Sequence, residues 1–309
     1  MGRTRRERMI FIGVSTRGSS IEALFPRWAE MLGLDAELEG CDIPLGAPPD
    51  GFRAAVERIV ASDDVRGGLV TTHKLAVFRH AGDLFDEFDD YARICSEVSC
   101  ISKRNGRVHG LAKDAVTADW TLEEMVARDY WAKSGGHVLC LGAGGAGLAI
   151  TMCLMSWDPP PARIILTDLD PDRLDAARAA HAHVPTDSAL DYAVAADLEA
   201  GRLAAALPPG SLVINATGMG KDRPGSPLPR DARWPSHAVA WDLNYRGELE
   251  FLRHARSVER DRHVRVFDGW RYFLHGWTAH IAEIFDLEMD AATFDSLAAA
   301  AGPFRPAPV

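Results

Sequence analysis

An α/β fold in two units followed by a helical tail is predicted for this chain of 309 residues, and three observations predict it. Short apolar runs bounded by glycine, proline or polar clusters alternate with stretches of helical apolar spacing. One such run, His137 to Leu141, leads straight into Gly142-Ala143-Gly144-Gly145-Ala146-Gly147 and then an apolar helix ending near Trp157. The last part, Phe267 to Ala301, is apolar and helical, with aromatics at Trp270, Tyr272, Phe273 and Trp277. The expected division is 1–118 as an α/β domain of its own, 119–265 as a Rossmann-type doubly wound domain, and 266–309 as helices packing back on the first domain.

The elements follow in order. Met9 to Gly13 is a short buried strand, followed by the polar loop Ser15 to Ser20. Ile21, Leu24, Phe25, Trp28, Met31 and Leu32 share a helical face, and Gly33 stops that helix. A second strand lies around Ala36 to Ile43, a loop over Pro44 to Pro49, and an amphipathic helix over Phe52 to Ala61. Gly67 to Lys74 reads as a third strand whose polar end opens into a helix. Val98 to Lys103 and Val108 to Leu111 form a hairpin turning at Asn105-Gly106. A helix over about residues 115–133 bridges to the second unit, with Ser134-Gly135-Gly136 as the boundary. Strands at 137–141, 163–167, 191–195, 211–215 and 238–242 alternate with helices, the rhythm of a parallel sheet.

The glycine segment fits G-x-G-x-x-G between strand and helix. Gly142 allows the tight turn, Gly144 lets the backbone approach a pyrophosphate, and Gly147 lets helix and strand pack closely. The helix start offers free N–H groups and a positive dipole end to phosphate. The next strand, Arg163 to Thr167, ends in Asp168. That residue lies about twenty positions past the last glycine, where a carboxylate accepts from a ribose diol. NAD is therefore the expected cofactor, and NADP the less expected one.

Bulk properties narrow the classes. Hydrophobic residues make up 47% and charged residues 25% of the chain, ordinary for a globular protein. The net charge of −10 argues against nucleic acid, which needs a basic face. Five cysteines without a C-x-x-C pair point to reduced thiols in the cytoplasm and to no structural zinc. The basic start, Arg3 to Arg8, precedes too short an apolar run for a signal peptide. The uncharged run Val138 to Trp157 has membrane-like length, but its glycines and the following Asp158-Pro-Pro-Pro exclude a span.

Two ionisable residues stand at predicted strand ends of the first domain: Lys74 after Leu69-Val-Thr-Thr-His, and Asp114 after Val108-His-Gly-Leu-Ala-Lys. Ligands of α/β folds bind at such ends. The pair could pass the proton of a reacting hydroxyl; equally, a strand-end lysine can be a solvated charge or a structural partner. His73 is expected to pack, and His181 and His183 to lie at the end of a surface helix. His280 reads as a core or interface residue.

The ordered motifs resemble those of the shikimate dehydrogenase family, over most of the chain. Gly68 to Lys74 matches that family's Asn-Val-Thr-x-Pro-x-Lys, and Ala112-Lys113-Asp114 its Asn-Thr-Asp. Further matches are Gly142 to Ala146, Ile214-Asn215-Ala216-Thr217-Gly218-Met219-Gly220, Asp242-Leu-Asn-Tyr245 and Asp268-Gly269. The resemblance implies a dehydrogenase with Lys74 and Asp114 as its catalytic pair. Substrate would lie against Ser19, Ser20, Thr71, Ser99, Asp114 and Tyr245, and Asn215 to Met219 with Gly269 would line the path of the nicotinamide.

The chain departs from that family at its substrate positions. The Ser-x-Ser-Pro loop is represented only by Arg17-Gly-Ser-Ser20; two asparagines become Ser99 and Ala112. The glutamine of the C-terminal helix falls at Gly276, where the adjacent His275 could replace it. Sites built on hydrogen bonds reject analogues by large factors, so a different polar alcohol or ketone is expected. At the second nucleotide strand, Leu169 stands where NADP-using members tend to carry arginine, and Arg173 would be the suspect if NADP were used. The rival expectations are a methylene-folate-type dehydrogenase on similar architecture and a non-enzymatic NAD-binding sensor. A small-molecule substrate, no nucleic acid or membrane partner, and a monomer or homodimer complete the reading.

Overall fold

The computed structural model describes residues 6–221 and 223–307. Two compact units emerge: one holds the chain up to Lys113 together with Gly276–Arg305, the other Asp114–His275.

The first unit is built on a six-stranded sheet. Its strands are β1 (Glu7–Gly13), β2 (Ala36–Asp42), β3 (Val65–Val70), β4 (Glu87–Phe88), β5 (Cys100–Arg104) and β6 (Arg107–Leu111), in the order β2-β1-β3-β5-β6-β4. β1 pairs in parallel with β2 and β3; the hairpin β5–β6 turns at Asn105, in the left-handed region at φ 51°, and Gly106. The connecting helices are α1 (Ser20–Met31), α2 (Pro49–Ala61), α3 (Lys74–Ala81) and α4 (Asp90–Cys95). α1 forms where its apolar positions recur at helical spacing, and Ile21, Leu24, Phe25 and Trp28 are buried along that face. α2 begins at Pro49, which needs no helix-internal N–H at that position. Ile10, Ile12, Val56, Ile59, Val70 and Ile101 join one core; each such side chain fully buried contributes about 1.5–3 kcal/mol. Residues from Gly276 to Arg305 belong to this unit. The Trp28 indole N–H donates to Leu297 O at 2.9 Å, tying α1 to the last helix, and Phe11 meets Trp277 edge-on at 4.9 Å.

The second unit contains a wholly parallel sheet. Its strands are β7 (Val138–Leu141), β8 (Arg163–Asp168), β9 (Ala189–Val194), β10 (Leu212–Asn215), β11 (Val239–Asp242) and β12 (Arg265–Phe267), in the order β12-β11-β10-β7-β8-β9. Counted within the unit this is the 3-2-1-4-5-6 order of a doubly wound sheet, with the switch point between β7 and β10. Its helices are α5 (Asp114–Met125), α6 (Tyr130–Ser134), α7 (Gly145–Met155), α8 (Pro171–His181), α9 (Asp197–Ala205), α10 (Glu250–Ser257) and α11 (Glu259–Arg262). α12 (Trp270–Phe285) begins in this unit and continues into the other, followed there by α13 (Ala291–Ala301).

Two expectations change in detail. The bridging helix is two helices, because Met125 O accepts from the Arg265 guanidinium at 2.7 Å instead of continuing the ladder, and Gly135 in the left-handed region ends α6. The edge strand β12 was not expected: three residues carry too little alternation to show in the sequence, and β11 alone pairs with them. No helix among the described residues is long and apolar enough to cross a membrane.

Candidate active site

The glycine segment stands at the switch point. Gly142 has φ 106°, and a Cβ there would meet Ala216 O at 2.8 Å; one on Gly147 would meet Gly142 O at 2.0 Å. At Gly144 a Cβ would meet nothing within 4 Å. Gly144 also caps α7 without any side-chain hydrogen bond, so the N–H groups at Gly145, Ala146 and Gly147 face an open cradle. That openness and the dipole of α7 fit a pyrophosphate. Ala143 adds the remaining contact of the turn: its N–H donates to Asp168 Oδ2 at 2.8 Å.

Asp168 is thus a clamp on the loop. Its second oxygen, Oδ1, accepts from Asp170 N at 3.0 Å, and its side chain is 12% exposed. The guanidinium of Arg173 lies 3.8 Å from Asp168 and 3.7 Å from Asp170, itself half exposed. Leu169 is exposed between them.

The turn after β10 is pre-organised by a buried network. Asn215 Oδ1 accepts from Thr217 N and Thr217 Oγ1, and Thr217 Oγ1 in turn accepts from Met219 N. Asn215 Nδ2 and Asn244 Nδ2 both donate to Met219 O and to Asp242 Oδ1, at 2.9–3.1 Å. Ala216 N returns to Leu141 O, and Gly218 turns the chain at φ 75°. Asp242 has no exposed surface, its Oδ2 has no hydrogen-bond partner among the described residues, and burial pushes its carboxyl up to about 7 against the hydrogen bonds from Asn244 and Asn215. Gly269 N donates to Asn244 O at 3.0 Å, tying this turn to the start of α12. Asn244 is the residue sequence reading missed; its place in Asp242-Leu-Asn-Tyr245 was the available signal.

In the first unit, Ser19 precedes α1 and Ser20 opens it, both partly exposed. Their loop is held from below by Thr16, whose N–H and Oγ1 both donate to Asp42 Oδ1 and hold that carboxyl below its usual range. Thr71 N donates to Ile12 O at 3.0 Å. Lys74 is the first residue of α3, partly exposed, and its carbonyl accepts from Val98 N. His73 packs on Phe52 and donates from Nε2 to Ile43 O at 2.7 Å, as expected of a packing residue. Ser99 is 1% exposed: its Oγ accepts from Lys113 N at 2.9 Å, which fixes the chain just before Asp114. Its carbonyl accepts from Val70 N and lies 3.1 Å from His280 Nε2. Ala112 is buried, and a side chain added at Gly276 would meet nothing within 4 Å.

In the second unit, Asp114 opens α5 and is 8% exposed. Tyr245 packs on Trp270 and Phe273 at 5.2 and 4.9 Å. His275, the expected replacement for a substrate-binding glutamine, has its Nε2 2.8 Å from Glu124 Oε1, with Trp120 beside it. Burial raises the Glu124 carboxyl, but hydrogen bonds from His275 and Arg271 hold it down at about 2. The backbone of α12 therefore aims this imidazole at a carboxylate, a pairing not visible from the two residues' distant sequence positions.

No protein-family model matches the chain. It is 29% identical over 276 residues to the shikimate dehydrogenase (NADP(+)) of Methylobacterium radiotolerans, covering 87% of both chains. It is 32% identical over 213 residues to that of Salinibacter ruber, covering 68% of this chain and 70% of the other. Among solved structures, the shikimate 5-dehydrogenase of Thermus thermophilus, in complex with NADP(H) and shikimate, is 24% identical with a TM-score of 0.68 over 96% of this chain and 99% of that one. These relatives overturn the expectation of NAD, since both enzymes carry NADP(+) in their names. The argument for NAD assumed that Asp168 points at the ribose. Its oxygens instead accept backbone N–H groups of the loop, and the Arg173 guanidinium beside it offsets its charge. With 32% identity over 70% of one curated member, and motifs in the same order from Ser19 to Gly269, the chain belongs to the shikimate dehydrogenase family.

Proposed function

We propose that this chain is an NADP-dependent dehydrogenase that interconverts a polar secondary alcohol, shikimate- or quinate-like or a related cyclic compound, with its ketone. The observation that carries this reading is the match, over 87% of the chain, to an enzyme named for shikimate and NADP(+). The motif resemblance assigns Lys74 and Asp114 to the family's dyad, and each is the first residue of a helix. Bound NADP supplies the hydride acceptor. The open cradle at Gly144 to Ala146 would hold its pyrophosphate, Arg173 would meet the 2′-phosphate, and the pinned turn Asn215 to Met219 with Gly269 would border the nicotinamide.

In the oxidative direction, the Lys74 amine takes the hydroxyl proton, and Asp114 is its partner in the catalytic pair that the family resemblance implies. Such acid–base help contributes about 10²–10⁴-fold. Ser19, Ser20 and Thr71 are the hydroxyls read as substrate contacts on the first unit, and Tyr245 is the corresponding family match on the nucleotide unit. Ser99, with its Oγ engaged by Lys113 N, acts by holding the segment that leads to Asp114. Ala112 and Gly276 remove two amide side chains that the family pattern supplies, which favours a substrate other than shikimate itself. The protein is assigned to the cytoplasm as a monomer or homodimer, because its five cysteines include no C-x-x-C pair.

Turnover of NADP with a panel of cyclic polyols, hydroxy acids and amino-substituted analogues tests the assignment. Reduction of NADP with at least one cyclic alcohol is expected. Tight NADP binding without turnover across the panel would replace the enzyme by a nucleotide-binding sensor.

A further inference from the structure

A second site lies at the amino ends of the strands in the nucleotide unit, on the edge of the sheet opposite the glycine loop. An open hollow of about 440 Å³ is lined there by Met125, Val126, Tyr130, His237, His263 and Arg265. The volume falls within the range of small-molecule sites, roughly 300–1,000 Å³.

The two histidines are placed by the backbone in an unusual manner. His237 precedes β11 and His263 follows α11, and both adopt left-handed conformations, at φ 56° and 54°. That region is costly for a side chain with a Cβ and is ordinarily filled by glycine or asparagine at a helix end. Their loops are fixed to each other, since His237 N donates to Arg262 O at 2.7 Å. The result is a stacked pair of imidazoles with centroids 5.0 Å apart and planes within 12°. Both residues are exposed, so the stack faces the hollow and solvent instead of filling a core.

Arg265 completes the cluster. One of its nitrogens, Nη1, is held by Met125 O, and its guanidinium lies over the Tyr130 ring at 5.9 Å. A guanidinium carries five N–H donors, so this anchoring leaves others available. Tyr130 is itself fixed, donating from its hydroxyl to Gly210 O at 2.8 Å. Two imidazoles and an anchored guanidinium thus line the hollow in a chain whose net charge is −10, and Met125, Val126 and the Tyr130 ring add apolar surface to it. Nothing in the proposed reaction uses this cluster.

The geometry points to a binding site for a small organic oxyanion, its carboxylate or phosphate head on His237, His263 and Arg265 and its flat or apolar body against Met125, Val126 and Tyr130. Imidazole N–H and guanidinium N–H groups are donors suited to such a head. The site is separate from the nucleotide cradle and does not depend on the identity of the substrate.

The test uses the full chain. The imidazole NMR signals of His237 and His263, assigned by His237→Asn and His263→Asn, are followed while inorganic phosphate or benzoate is added. Asparagine tolerates the left-handed conformation, so the double variant keeps both turns. Saturable shifts of both signals are expected with at least one probe, and the double variant should bind that probe about tenfold more weakly or worse by calorimetry. Phosphate alone, or benzoate alone, then names the head group. Absence of saturable shifts with both probes, or wild-type affinity in the double variant, overturns the site.

Discussion

The Asp168 carboxylate accepts the Ala143 N–H at 2.8 Å, so the acidic residue ending β8 closes the glycine loop onto the sheet. This contact separates two roles that the motif alone merges, and it leaves Arg173 as the neighbour able to choose between cofactors. Arg173→Gln should weaken NADP by about ten- to a hundredfold in kcat/KM, the worth of a charged hydrogen bond, and leave NAD nearly unchanged. Asp168→Ala should weaken both, because it loosens the loop they share. Equal loss of NADP and NAD in Arg173→Gln would refute the assignment.

Lys74→Ala is expected to lower kcat by about 10²–10⁴-fold. NADP binding, followed by quenching of intrinsic fluorescence, should be unchanged, since Lys74 lies in the other unit from the glycine loop. Turnover like the wild type's would remove lysine from the chemistry.

Asp242 links the Asn215–Met219 turn to pH. Its carboxyl titrates near 7 in the folded chain, raised from 3.8 by burial. A raised folded pKa means that the contribution is fully present below the unfolded value and is lost as pH rises from about 4 to about 7, at up to ~1.4 kcal/mol per pH unit. Asp242→Asn keeps the Oδ1 acceptor and cannot ionise. Urea unfolding of that variant at about pH 8 should show stability equal to or above the wild type's, and a flatter slope between about pH 5 and 8. A steeper slope in the variant would exclude a protonated Asp242.

A buried relay braces the glycine helix from the other side. Thr151 Oγ1 donates to Gly147 O, so the His181 Nε2–H donates to Thr151 Oγ1 at 2.8 Å, and His181 Nδ1 accepts from the Tyr192 hydroxyl at 2.8 Å. Burial lowers His181 to about 4, and the ring must stay neutral to accept at Nδ1. Its contribution is therefore present above about pH 6.5 and lost as pH falls toward 4. His181→Gln should remove that acid-side slope in urea titrations, and Tyr192→Phe should cost about 1 kcal/mol near neutral pH. An unchanged slope in His181→Gln would show that other groups carry it.

Much of this was legible in the residues. The apolar runs at 9–13, 138–141 and 239–242 had to be strands, because they are short, buried and bounded by turn formers, and the glycine spacing fixed where β7 hands over to α7. Lys74 and Asp114 could be singled out because both follow predicted strand ends, and each opens a helix. Harder to foresee was what neighbouring polar groups do with each other. His275 meets Glu124 across 151 positions, and Asp168 meets a loop N–H across 25.

By itself, then, the sequence determined most of the strand–helix alternation, the doubly wound unit, the glycine turn between β7 and α7 and the placing of Lys74 and Asp114 after strand ends, since local periodicity and glycine geometry act over a few residues. Only the tertiary structure decided that Asp168 clamps a turn, that His275 is held by a carboxylate, that Met125 breaks a helix to meet Arg265, and that two left-handed histidines stack at the far edge of the sheet. The physical reason is that hydrogen-bond partners and burial are set by what packing brings together, and those partners lie far apart along the chain.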